Sequence, residues 1–143
     1  MKNILVAHDG SESADKALFE AASVAEKFGA KVLSIISVVP NLCFSEIGAD
    51  CDTVTKLYRA EIEGAMEGVK SLLKDKGIDA EVAILEGSPA DVIVDAAKAR
   101  NADLIVVGST GKHATERTLL GSVSSKIAAN ASCSVLVVRL VVR

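Results

Sequence analysis

The spacing of apolar residues changes along this chain, and each spacing names an element. Residues 3–8, NILVAH, form a nearly unbroken apolar run, as expected for a strand covered on both faces. Over residues 13–28, Ala14, Ala17, Leu18, Ala21, Ala25 and Phe28 recur at helical spacing and define one face. Glu12 and Asp15 stand at the start of this helix and Gly29 follows its end, in keeping with the helix dipole and with a glycine stop. KVLSIISVV, residues 31–39, is a second strand, closed by Pro40. Residues 40–53, PNLCFSEIGADCDT, show no period and read as a long loop. A helix is predicted over 54–76, with Leu57, Tyr58, Ile62, Ala65, Met66, Val69, Leu72 and Leu73 on one stripe and Gly77 as its stop. A third strand, AEVAIL, covers 80–85. Next, Ser88 can cap a helix, Pro89 suits its first position and Asp91 completes a capping-box pattern. ADLIVVG (102–108) is a fourth strand, 120–131 a last helix and SVLVVRLVVR (134–143) a fifth strand.

Strands alternating with helices in this way build a parallel sheet with right-handed crossovers and helices on both faces. The expected fold class is α/β, a doubly wound five-stranded parallel sheet. No internal repeat or linker interrupts the pattern, so residues 1–143 are expected to form a single domain, of a length that supports a full core.

Composition narrows the function. Half of the residues are hydrophobic, 24% are charged and the formal net charge is −3. A chain holding nucleic acid through its phosphates would normally carry a basic face, so no nucleic-acid partner is expected. No apolar run approaches the roughly 20 residues of a membrane span, and MKNILVAHDG lacks the parts of a signal peptide. The expectation is a cytoplasmic protein without a membrane partner. Three cysteines, Cys43, Cys51 and Cys133, without CxxC spacing, argue against a disulfide framework and against zinc. Cys133 reads as a small buried hydrophobe.

The chemistry gathers at two strand ends. In a doubly wound sheet, ligands sit beyond the carboxyl ends of the strands, where the strand order reverses. AHDGS (7–11) follows the first strand and GSTGKHATERTLLGSVSS (108–125) follows the fourth. If those strands are neighbours, both loops meet in one crevice. Gly108 and Gly111 would let backbone approach a ligand closely. Gly121-Ser122 opens a helix, where free N–H groups and the dipole favour an anion, and Ser122 and Ser124 add hydroxyl donors. Asp9 is an acceptor suited to ribose hydroxyls, or alternatively the cap of the first helix. Phosphate on the glycines and sugar on the aspartate together describe a nucleotide.

Related motifs fail. GKH at 111–113 has two residues between its glycines where a phosphate-binding P-loop needs four, and His113 stands where Ser or Thr is required. No G-x-G-x-x-G follows the first strand, so a nicotinamide cofactor is not expected. Three Phe, one Tyr and no Trp leave little to enclose a flavin. His8 and His113 have no evident metal or triad partners and read as packing or surface residues. Lys112, Arg117 and Lys126 read as solvated charges, with Lys112 also within reach of a terminal phosphate.

Gly108, Gly111, nine further residues and Gly121-Ser122 form the pattern G-x-x-G-x9-G-[ST], which resembles the nucleotide-binding signature of the universal stress protein family. ILVAHDGSESADKAL resembles the family's opening strand and acidic turn, SVLVVR its closing strand, and the likeness covers the whole chain. His8 departs from it, standing where the family usually has a hydrophobic residue. The resemblance implies strand order 3-2-1-4-5 and bound ATP, with Mg2+ carried by the phosphates. It assigns Ala7, Asp9 and Val38 to the adenosine side, and Val107, Gly108, Gly111, Gly121, Ser122, Val123 and Ser124 to the ribose and phosphate side. It also implies a homodimer through the last strand. SVLVVRLVVR supports that independently, because a long apolar edge strand is otherwise an aggregation hazard. A nucleotide-dependent regulatory protein with an unidentified protein partner is the expectation. A slow ATPase or phosphotransferase is the alternative, with His113 and Glu116 as the nearby candidate bases, and a nucleotide-free structural dimer is the third reading.

Overall fold

A computed structural model describes residues 2–30, 32–41, 51–109 and 120–139. Its elements run β1 (Asn3–Ala7), α1 (Glu12–Phe28), β2 (Val32–Val39), α2 (Cys51–Asp75), β3 (Ala80–Glu86), α3 (Pro89–Ala99), β4 (Leu104–Gly108), α4 (Ser122–Asn130) and β5 (Ser134–Val138). The five strands form one sheet in the order β3-β2-β1-β4-β5, and every pairing is parallel. This is the doubly wound fold expected from the alternation, with β1 and β4 as neighbours.

Strand alternation sorts the core into two layers. On one face Ile4, Val6, Leu33, Ile35, Leu104 and Val106 pack against Ala17, Leu18 and Ala21 of α1 and Ile62, Met66, Val69 and Leu73 of α2. On the other, Leu5, Ile36, Ile105 and Val107 pack against Ala90, Ile93 and Ala97 of α3 and Ile127 of α4. Because β1 and β4 are covered on both faces, their sequences show apolar runs rather than alternation.

Several expected boundaries move. The helix placed at 54–76 begins at Cys51, so the loop assigned to 40–53 ends earlier, and residues 42–50 lie outside the described part. Cys51 is disulfide-bonded, contrary to the reading of the cysteine count; a count of three fixes no pairing, because one pair and one free thiol satisfy it equally well. Cys133 is the free thiol among the described residues. Phe28 and Leu57, placed on buried stripes, are 61% and 68% exposed. Both sit on overhanging helix ends. A 17-residue helix is about 26 Å long and a five-residue strand about 17 Å, so α1 outruns the strand beneath it, and α2 does so by more. No described helix is long and apolar enough to cross a membrane.

Candidate functional site

Beyond Ala7 the chain leaves the sheet through His8, Asp9, Gly10 and Ser11. His8 N–H still donates to Ile36 O at 2.9 Å, which carries the β1–β2 pairing one residue further. Asp9 Oδ1 then accepts the Ser11 N–H at 2.9 Å, a local turn in which Asx side chains commonly engage. Gly10 takes φ 86°, a conformation closed to most side chains. Ser11, not Asp9, is the N-cap of α1, its Oγ accepting the Ala14 N–H at 3.1 Å. The alternative of Asp9 as helix cap is thereby removed, and its half-buried carboxylate stands at the sheet end.

His8 reads differently in three dimensions. It is 3% exposed, with Nε2 2.9 Å from Asp15 Oδ1 and Nδ1 accepting the Gly10 N–H at 3.0 Å. An Nδ1 that accepts leaves the proton on Nε2, where it is donated to Asp15. No partner for His8 could be read from the sequence, because a seven-residue separation becomes a contact only through the path of the loop into α1.

At the end of β4, Ser109 N–H donates to Val138 O at 2.8 Å, while Ser109 O accepts the Gly121 N–H at 2.6 Å. The two glycine-serine pairs of the sequence pattern, Gly108-Ser109 and Gly121-Ser122, therefore meet, although residues 110–119 between them, including Gly111 and His113, lie outside the described part. Ser124 is 2% exposed, and its hydroxyl lies 3.1 Å from both Ser109 O and Gly121 O. With a single proton it can serve those carbonyls and not a ligand, so Ser124 holds the helix start against the strand end. Gly108 also acquires a packing role: a Cβ there would lie 2.3 Å from Ser13 Oγ.

The N-terminus of α4 is the chemically open part. Gly121 is its N-cap and offers no side-chain acceptor. The first helical hydrogen bond runs from Ser125 N–H to Gly121 O at 3.0 Å, so the N–H groups of Ser122, Val123 and Ser124 have no carbonyl within the helix. They form the positive end of the helix dipole. Ser88, expected as the cap of α3, makes no side-chain capping bond. Asp91, expected in the capping box, instead pairs with Lys126 Nζ at 3.3 Å and ties α3 to α4.

Ala7, Val38 and Val107 belong to the α3/α4 layer, Val107 buried and the other two partly exposed. All three stand at the carboxyl ends of their strands, on the face covered by α3 and α4. Between β1 and β4 the chain crosses to β2 on one side and from β3 to β4 on the other, which makes this the switch point of the sheet. Apolar strand ends, the Asp9 carboxylate and three N–H groups without a partner among the described residues are chemically suited to a ring, a sugar and an anion.

The universal stress protein family model matches residues 1–139. A universal stress protein of Methanocaldococcus jannaschii is 37% identical over 140 residues, covering 96% of this chain and 82% of the relative. Among solved structures, universal stress protein UspA from Lactobacillus plantarum superposes with a TM-score of 0.86 at 30% identity, covering 96% and 97% of the two chains. A universal stress protein solved in complex with cAMP gives a TM-score of 0.72 at 29% identity, with 96% of each chain covered. With a family match along nearly its whole length and with this fold, the chain belongs to the universal stress protein family.

Proposed function

We propose that this chain is a cytoplasmic, single-domain regulatory protein of the stress response that binds ATP at the β1–β4 switch point. The observation that carries the reading is the uncapped start of α4, with the N–H groups of Ser122, Val123 and Ser124 beside the end of β4. Such a terminus suits phosphate. The relative crystallised with cAMP supports an adenine nucleotide as the ligand class.

In this reading Ala7, Val38 and Val107 lie under the adenine and ribose, and Asp9 accepts from the ribose hydroxyls. Gly121, Ser122 and Val123, with Gly111, take the phosphates. Gly108 and Ser124 shape the site through packing and internal hydrogen bonds. Bound ATP would supply negative charge to the helix start, with Mg2+ carried on its phosphates. A protein partner would read the nucleotide state. β5 ends the sheet with one side unpaired by any described strand, and its residues Val135, Leu136 and Val137 are only partly buried. This open apolar edge supports a homodimer in which two copies pair along β5, and a monomer at micromolar concentration in sedimentation would contradict it.

Calorimetric titration with Mg·ATP tests the site. Asp9→Asn keeps an oxygen for the Ser11 N–H but removes the charge, and should weaken binding about tenfold or more. Gly111→Val adds a branched side chain where phosphate must approach and should abolish it. Parent-like affinity in both variants would refute the assignment. Incubating the complex and assaying for ADP separates a binder from a slow ATPase.

A further inference from the structure

We propose that His8 is a positioning residue for the Asp9 turn and makes nucleotide affinity fall as the solution is acidified. The inference rests on the nucleotide reading above and deepens it, since it concerns regulation of the same crevice.

His8 Nδ1 accepts the Gly10 N–H at 3.0 Å, and Nε2–H reaches Asp15 Oδ1 at 2.9 Å. Only one neutral tautomer satisfies both contacts. A second proton on the ring must go to Nδ1, where it turns an acceptor into a donor facing another donor. The Gly10 N–H then loses its partner and must move. Gly10 lies between Asp9 and Ser11, and the Asp9 Oδ1 to Ser11 N–H bond closes over it. Displacing Gly10 therefore displaces the carboxylate offered to the nucleotide.

Among the described residues, few other charges can respond. α1 presents Asp15 to the ring and carries Glu12 and Lys16 on its first turns. Lys16 Nζ donates to Arg139 O at 2.7 Å, at the exit of β5. The loop's own charge is Asp9. Neither flanking strand, β2 or β4, has an ionisable side chain. Extending the β1 registers by one residue places Ser37 and Gly108 beside His8. Ser37 is fully buried, and its hydroxyl has no hydrogen-bond partner. The ring is buried under α1, and among the described residues Asp15 is its one ionic contact at hydrogen-bond distance.

The test compares ATP affinity of the parent and His8→Asn between pH 8 and pH 5.5. Asparagine keeps an oxygen near the place of Nδ1 to accept from Gly10 and does not titrate, and protonation of the ATP phosphates affects both proteins alike. The parent is expected to lose about five- to tenfold more affinity than the variant across this range, the equivalent of one hydrogen bond. A parallel decline in both would overturn the inference while leaving the nucleotide reading intact. Absence of binding at every pH in the parent would overturn that reading and this inference with it. Should the variant fail to fold, NMR of the parent decides: the Gly10 amide resonance must shift with the His8 ring as it titrates. A ring that titrates without moving Gly10, or does not titrate while the protein stays folded, overturns the proposal.

Discussion

Gly108, the last residue of β4, lies against Ser13 in the first turn of α1, so closely that a Cβ on Gly108 would stand 2.3 Å from Ser13 Oγ and 2.9 Å from the Ser13 carbonyl carbon and oxygen. Read along the sequence, this glycine opens a ligand loop. In the fold it also sets how near α1 can come to β4, and so fixes the loop that carries Asp9.

Gly108→Ala should therefore destabilise the fold by about 1–3 kcal/mol, the usual cost of overpacking a core. Ser13→Ala in the same chain removes the hydroxyl but leaves both backbone contacts, so it should restore stability only in part. Denaturant unfolding measures both. A Gly108→Ala protein as stable as the parent would contradict the packing role.

What could be read from the sequence follows from what each signal depends on. The strand and helix order rests on local periodicity, and the described elements stand close to where the periods placed them, except that β5 ends at Val138 where a strand to 143 was expected, residues 140–143 lying outside the described part. The places of Gly108, Gly121, Ser122 and Asp9 at strand and helix ends were legible too, because each follows or opens a periodic run. Contacts set by tertiary geometry were not. The pairing of His8 with Asp15 needs the turn that leads from β1 into α1. The burial of the Ser124 hydroxyl needs the return of Gly121 to Ser109. Asp91 fits a capping box, yet reaches Lys126 because α4 passes within its range. Phe28 and Leu57 keep helical spacing but extend past the sheet that would cover them.

Ser124→Ala removes a donor shared by Ser109 O and Gly121 O. Ser109 O keeps the Gly121 N–H at 2.6 Å, so the expected loss is about 1 kcal/mol, not that of a stranded buried carbonyl. Thermal unfolding checks the stability. Because the hydroxyl is committed within the protein, ATP affinity should change less than in Asp9→Asn.

Asp103 joins the start of β1 to that of β4, its Oδ2 accepting the N–H groups of Lys2 at 2.8 Å and Asn3 at 3.0 Å. These backbone hydrogen bonds, first that from Lys2, hold its pKa below the ordinary carboxylate value. A depressed folded value means the stabilisation is complete above the unfolded pKa and is lost as the pH falls through the folded one. Asp103→Asn should be less stable than the parent at neutral pH, and the gap should close below about pH 4. Melting temperatures of both proteins from pH 7 to pH 2 test this. A gap independent of pH would contradict it.

Burial raises the pKa of the Cys133 thiol, and only the thiolate is nucleophilic. Alkylation of Cys133 by iodoacetamide at pH 8 should be slower than that of glutathione, with a pH midpoint above the ordinary thiol value of about 8.5. Peptide mass spectrometry of timed samples resolves it, and glutathione-like kinetics would contradict the shift.

In the proposed function an adenine nucleotide lies between Asp9 and the start of α4. The most direct measurement is an amide NMR titration of the parent protein with Mg·ATP. The expected result is saturable shifts concentrated at Asp9–Ser11 and Ser122–Ser124, with the lower end of the sheet around Asn3 and Asp103 unmoved. No saturable shift, or shifts centred away from both segments, would contradict the account.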